Sequence, residues 1–389
     1  MSGSNILIIA GEASGDLHAS GLIRELLKKR PQLKISCVGG ERMESAGASV
    51  IVPSRQLSVV GLLEVFSHAG PLCSAFFKIR RWIREKRPDL LVLVDFPEFN
   101  LLMAQYAKTF DIPVFYFISP QVWAWRQGRV KKIRRLVDKM AVILPFEEEF
   151  YKRFGIDATF VGHPLLDSID VDSIQDERLR RRLGLDKNNP LICLLPGSRK
   201  GEIERHLPIM LESALLLKKK IGELRFLVAA NQGTLPLVSS IIDAASYPVS
   251  DYIHIVEGET YEAIKASHLC MAASGTVTLE TAIIGTPMIV MYKVSTISYL
   301  AGKRLIKVPW VSLVNLIANK EVVPELLQDE ASPENLANCS YHILNDSSKQ
   351  KMMKDGFKKV VQSLGSGGVP ARTADLVLEL LDQKVVSHF

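Results

Sequence analysis

Short apolar runs alternate along this chain with stretches whose apolar positions recur at helical spacing. NILIIA (5–10) comes first, then the small polar turn GEASGD (11–16), then HASGLIRELLKKR (18–30), which is amphipathic as a helix. Strand, glycine-containing turn and helix in that order open a doubly wound α/β unit. LLVLVD (90–95), VFYFIS (114–119), MAVILP (140–145) and ATFVG (158–162) predict further strands. Their apolar residues are continuous rather than alternating, as in parallel strands covered on both faces.

The pattern breaks at DSIDVDSIQDERLRRRLGLDKNNP (167–190), which is acidic, then basic, and ends in Asn-Asn-Pro. It restarts with LICLLP (191–196), GSRKGE (197–202) and a helix over 203–220. RFLVAA (225–230), IHIVEG (253–258), LCMAASG (269–275) and MIVMYKV (288–294) continue it as strands. The predicted fold class is α/β: two Rossmann-like domains facing across a cleft, with ligands at the carboxyl ends of the strands. The expected boundaries are an N-terminal domain over 1–166, a linker region over 167–190, a C-terminal domain over 191–365, and a helix within 366–389 packing across the domain boundary.

Composition changes this picture only at the edges. A chain of 389 residues suits two cores better than one. Hydrophobic content of 47% and charged content of 23% exclude a disordered chain. A net charge of +6 and a pI near 8.9 suit an acidic partner. Cys37, Cys73, Cys193, Cys270 and Cys339 lie far apart with no C-x-x-C pair, which argues for a reducing compartment and against a disulfide framework or a zinc site. No basic n-region or cleavage-site pattern opens the sequence, and no apolar run approaches the roughly 18 residues a spanning helix needs. A cytoplasmic protein is expected, with attachment to a membrane surface left open.

Two loops of the second half carry candidate anion chemistry. LLPGSRKGEIERH places Gly197, Ser198 and Arg199 between a strand and a helix, where backbone N–H groups and the arginine suit a phosphate. AASGTVTLETAIIGTP sets Ser274, Gly275 and Thr276 before a helix with Glu280 one turn inside it. Hydroxyls and helix N–H groups suit a diphosphate, and the carboxylate suits the paired hydroxyls of a ribose. The same residues also read as a helix cap with a first-turn acid. Neither loop is a Walker A sequence, which disfavours ATP-driven phosphoryl transfer.

In the first half, Asp95 ends LLVLVD and is a candidate general base, or a capping residue before the proline turn. Glu12, Asp16, Glu98, His18 and His163 are rivals for the base. Two segments join aromatic and basic residues. LSVVGLLEVFSHAGPLCSAFFKIRRWIREKRP (57–88) reads as an interfacial helix or a core helix. SPQVWAWRQGRVKKIRRLVDK (119–139) holds Trp123, Trp125 and Arg126 at the head of a basic run. No RRM, KH or helix-turn-helix pattern accompanies it, so nucleic acid is not an expected partner.

AGEASGD (10–16), SPQVWAWRQGRV (119–130), LPGSR (195–199), ASGTVTLE (273–280) and WVSLVNLIA (310–318), in this order and spacing, closely resemble the lipid-A-disaccharide synthases. These are bacterial glycosyltransferases of the two-domain type called GT-B. The resemblance implies UDP-2,3-diacylglucosamine as donor and 2,3-diacylglucosamine 1-phosphate as acceptor. The products would be UDP and a β-1′,6-linked lipid A disaccharide 1-phosphate, formed by one inverting displacement without metal or cofactor. It assigns Arg199 to the UDP phosphates, Ser274, Gly275 and Thr276 to the diphosphate loop, Glu280 to the ribose and Asn315 to the neighbourhood of the nucleotide. Asp95 matches a required aspartate, and Glu12, Ser14 and Gly15 would line the acceptor side with Trp123, Trp125 and Arg126. The N-terminal domain would face acceptor and membrane, in peripheral contact with anionic lipid at the inner face of the inner membrane. A homodimer is the candidate assembly. A GT-B enzyme on a soluble UDP-sugar is the rival reading.

Overall fold

Residues 4–57, 69–124, 127–186, 189–245, 251–294 and 308–386 are described in the computed structural model of the protein, where the continuous apolar runs become strands of two parallel sheets. The chain divides into one unit of Met1–Asp167 with Leu364–Phe389 and another of Ser168–Ser363.

The first unit holds β1 (Asn5–Ala10), β2 (Lys34–Gly39), β3 (Ser49–Pro53), β4 (Leu90–Val94), β5 (Val114–Phe117), β6 (Lys139–Val142) and β7 (Ala158–Phe160), in the order β3-β2-β1-β4-β5-β6-β7. Alternate residues feed opposite layers. Leu7, Ile9, Leu91 and Leu93 pack on one face, and Ile6, Ile8, Leu90 and Val92 on the other. Burial on both faces is why these strands read as unbroken apolar runs. The second unit repeats the plan with β8 (Leu191–Leu195), β9 (Arg225–Ala230), β10 (Ile253–Glu257), β11 (Leu269–Ala273), β12 (Met288–Tyr292) and β13 (Glu325–Leu327), ordered β10-β9-β8-β11-β12-β13. Both sheets are Rossmann-like. Strand order reverses between β1 and β4 and between β8 and β11, the places where such sheets open to ligands.

The stretch expected to link is folded against the second unit. Its helix Asp176–Arg182 buries Arg180, whose guanidinium donates to the Ala266 carbonyl at 2.6 and 3.0 Å. The last helix, Val369–Val386, belongs to the first unit. Val377 and Leu381 share a core with Leu22, Ile23 and Leu26. Lys29 pairs with Asp375 at 2.5 Å, and nearly buried Lys139 pairs with Glu379 at 2.7 Å. The Asp167 carboxylate accepts from the Gly368 and Val369 N–H groups, and so caps that helix where it begins.

Of the segment 57–88, residues 58–68 lie outside the described residues. The helix Ala69–Lys86 buries Ala75, Ile79 and Ile83 in the core and leaves Phe77 64% exposed. Beside it, the Arg80 guanidinium lies 4.1 Å from the Tyr106 ring centroid, and that of Arg87, just past its end, 4.0 Å from that of Phe110. Among the described residues, no helix is long and apolar enough to cross a membrane.

Candidate active site

A pocket of about 420 Å³ opens at the strand reversal of the second sheet. Its walls come from the carboxyl ends of β8, β9, β11 and β12. Gly197, Ser198 and Arg199 meet Ser274, Gly275, Thr276 and Glu280 there. Residues that sequence reasoning passed over complete it: Asn231 and Thr234 after β9, Thr260, Glu202 and Tyr292.

The first loop is shaped by Glu202. Its carboxylate accepts from the Ser198 and Arg199 N–H groups at 3.2 and 3.3 Å. Two backbone donors expected to face a phosphate therefore already serve Glu202. Gly197 sits at φ +115°, and a Cβ there would stand 2.7 Å from a Glu202 oxygen, so both backbone and space require glycine. The Arg199 side chain is 78% exposed and 3.8 Å from Glu202, available to an anion at the pocket. Buried His206 pins the floor. Its Nδ1 donates to the Pro196 carbonyl at 3.0 Å and its Nε2 accepts from the Lys293 N–H at 3.1 Å. Burial lowers its pKa, and the neutral ring satisfies both bonds.

In the second loop, Ser274 Oγ donates to the Val311 carbonyl at 2.9 Å, while Gly275 and Thr276 are exposed. A Cβ on Gly275 would meet nothing within 4 Å, so the protein itself leaves that space open beside the pocket. Glu280 is half-buried, and burial raises its carboxyl pKa against the opposing hydrogen bond from Tyr261, 3.5 Å away. Asn315 is not brought to the pocket. It is fully buried, donating to Val323 O and Glu325 Oε1 and accepting from the Val322 and Val323 N–H groups. Its amide is saturated. Glu325 also accepts from the Val311 and Ser312 N–H groups, so this cluster holds Val311 and, through it, Ser274.

In the first unit, Asp95 follows β4 half-buried, with φ +47°, and Phe96 continues at φ +48°. Ile118 after β5 has φ +64°. Such values cost non-glycine residues about 1–3 kcal/mol each and gather at functional sites. The Asp95 carbonyl accepts from Asn100 Nδ2 at 2.6 Å and from the Tyr116 hydroxyl at 2.7 Å.

The rival bases fare differently. Asp16 is buried and accepts from the Gly40, Arg42 and Met43 N–H groups, capping the helix Glu41–Ser45. Glu98 pairs with Arg129 at 2.5 Å. Burial lowers His18 and His163 to about 4, so both rings are neutral near pH 7, and His163 Nδ1 already accepts from the Leu165 N–H at 3.2 Å. Glu12 and Ser14 are exposed at the start of the helix after β1. Gly15 is buried where a Cβ would come 3.3 Å from that of Ala10, so it serves helix–strand packing.

Trp123 is buried in a polar knot. Its Nε1 donates to Glu147 at 2.9 Å, alongside the Ser119 hydroxyl at 2.7 Å and the Ile143 and Leu144 N–H groups at 3.2 and 3.0 Å. Burial raises the Glu147 pKa while these four donors pull it back. Trp125 and Arg126 lie outside the described residues. Farther along, Lys131, Arg134 and Arg135 are exposed. Among the described residues, no group of three or more His, Cys, Asp or Glu is placed to hold a metal ion.

Comparison with known proteins matches residues 6–374 to the family described as Lipid-A-disaccharide synthetase. A Geobacter sulfurreducens protein named lipid-A-disaccharide synthase is 43% identical over 384 residues, spanning 98% of this chain and 98% of its own. One of that name from Nitrosococcus oceani is 42% identical over 383 residues, spanning 97% and 96%. Among solved structures, UDP-GlcNAc 2-epimerase from Neisseria meningitidis bound to UDP-GlcNAc superposes with TM-score 0.61 at 12% identity, covering 97% of this chain and 100% of that one. The S. aureus MnaA–UDP co-structure gives 0.65 at 12% identity, covering 97% of each. These structures share the fold.

Proposed function

The chain belongs to the lipid-A-disaccharide synthetase family, and on that premise we propose how its residues divide the reaction. The donor is UDP-2,3-diacylglucosamine and the acceptor 2,3-diacylglucosamine 1-phosphate. The acceptor 6-hydroxyl attacks the donor's anomeric carbon, the bond to the UDP oxygen breaks, and the configuration inverts. The hydroxyl proton passes to Asp95 as general base. Arg199 neutralises charge growing on the departing UDP, with Ser274, Gly275 and Thr276 at the diphosphate and Glu280 at the ribose. The observation that carries this reading is the convergence of Arg199, the 274–276 loop and Glu280 on one pocket at a strand reversal. Asn315 acts there only through Val311 and Ser274.

The first unit takes the acceptor and a membrane surface. Exposed Phe77, with exposed Lys131, Arg134 and Arg135, supports peripheral contact with anionic lipid at the inner face of the inner membrane. A homodimer is the proposed assembly.

The test is UDP release in mixed micelles containing EDTA, with and without the acylated acceptor. Acceptor-dependent release is expected. Absent release, with UDP still bound, would leave the nucleotide site standing and overturn the lipid reaction in favour of a soluble UDP-sugar.

Glu280 gives a pH test. Ribose hydroxyls donate to the carboxylate, so only the ionised form binds fully, while burial has raised the pKa of the free protein. Binding therefore expels a proton, and UDP affinity rises with pH through that raised pKa before levelling. Glu280→Gln should weaken UDP about tenfold or more, the value of a hydrogen bond to a charged group, and remove this component. Equal pH profiles by calorimetry would move the ribose elsewhere.

A further inference from the structure

We infer that Asn100 and Tyr116 are positioning residues for Asp95, holding a strained turn so that its carboxylate keeps one direction. The inference rests on Asp95 being the base. Two successive non-glycine residues at positive φ, the second preceding Pro97, do not persist unless their surroundings over-determine them.

The restraints are specific. Both lone pairs of the Asp95 carbonyl are engaged, one by Asn100 Nδ2 at 2.6 Å and one by the Tyr116 hydroxyl at 2.7 Å. Asn100 Nδ2 also donates to the Val94 carbonyl at 3.2 Å, tying the turn to the end of β4. A third restraint comes from Gly11. A Cβ there would lie 2.4 Å from the Phe96 ring, so the absence of a side chain lets that ring seat and fixes the second strained residue.

Stability alone does not account for this arrangement. Asn100 is fully buried, and its Oδ1 has no hydrogen-bond partner among the described residues. An apolar side chain of similar shape would avoid that orphan acceptor. What leucine cannot do is hold the two carbonyls. Tyr116 is likewise buried, and burial lifts its phenol well above the ordinary range, so it stays a donor at any working pH. Backbone direction at Asp95 sets where its Cβ and carboxylate point, so both residues act on the proton-accepting group without touching substrate.

The test is a mutant cycle. Tyr116→Phe and Asn100→Leu are each made in the wild-type and in the Asp95→Asn enzyme. Readouts are kcat, both KM values, UDP affinity and the thermal midpoint. Each single change should lower kcat about ten- to a hundredfold, as a small misplacement of a catalytic group does, with UDP affinity unchanged. In the Asp95→Asn background, neither should lower the residual kcat further, because the group through which they act is gone. Equal fold-losses in both backgrounds would overturn the inference, as would an unchanged kcat in the single variants. Tyr116→Phe keeps the packed ring, so it decides the matter even where Asn100→Leu fails to fold. Near-normal turnover by Asp95→Asn is a separate signature. It removes the base assignment itself, and this inference with it.

Discussion

Asp95→Asn is expected to cut turnover about a thousandfold while UDP affinity and the thermal midpoint stay where they are. Asparagine has the same outline as aspartate but cannot take up a proton at this step. It is also among the few residues that tolerate the left-handed region, so the φ of +47° at this position is not a new strain. The hydrogen bonds from Asn100 Nδ2 and the Tyr116 hydroxyl end on the Asp95 carbonyl, which the substitution keeps. Among the described residues, the pocket proposed for UDP is lined only by the other unit, so UDP binding should not respond. Steady-state kinetics, equilibrium UDP binding and thermal unfolding check the three parts. Should turnover survive, Glu12 or His18 inherits the role. Asp16 is engaged with backbone N–H groups, Glu98 with Arg129 and His163 Nδ1 with the Leu165 N–H.

The second large effect falls on stability. Glu147→Ala removes the acceptor of four buried or half-buried donors: the Ser119 hydroxyl, the Trp123 indole and the Ile143 and Leu144 N–H groups. Each donor left without a partner costs about 1–3 kcal/mol, and water entering the vacated space recovers part of it. A net loss of about 4 kcal/mol, or roughly 10 °C in the first unit's midpoint, is expected. Glu147→Gln should fall between, since its amide nitrogen meets donors on one side. The indole of Trp123 belongs to the network, so tryptophan fluorescence during unfolding follows the loss directly. An unchanged midpoint in Glu147→Ala would show that the knot does not hold the loop Ser119–Trp123.

The legible part of this fold was the part with a one-dimensional signature. β1, β4, β8 and β11 are covered on both faces, so their apolar residues run unbroken. β3 and β13 were not read as strands. They are edge strands, only partly buried, and polar positions interrupt or flank them. β2 was missed as well, its apolar residues broken by Ser36. The two loops that meet at the pocket were legible because a strand–turn–helix boundary is a local event.

Partners distant in the chain were not legible. Asp16 stands in a turn that suggests a ligand, yet it serves N–H groups more than twenty residues away. Asn315 sits in a family-like motif, yet its bonds go to Val322, Val323 and Glu325. Glu147, His206 and Asn100 carry no motif at all. Each organises a loop by holding main-chain groups, which leave no trace in a side-chain pattern. Asn231, Thr260 and Tyr292 reach the pocket from separate strand ends, so only the strand order could place them.

The helix Val369–Val386 closes the first unit although the whole of the second lies before it in the chain. Synthesis therefore delivers the two bodies in an inverted order of completion. Ile23, Leu26 and Phe115 emerge early, and the residues that cover them, among them Val377 and Leu381, emerge last. The second unit has its full complement of strands once residue 327 has left the ribosome, while the first is still waiting for its lid of apolar side chains. During translation the early half carries an uncovered hydrophobic face across the time needed to make nearly two hundred further residues, at about 5–20 residues per second. That interval of roughly 10–40 s is when a nascent chain of this design most needs a chaperone.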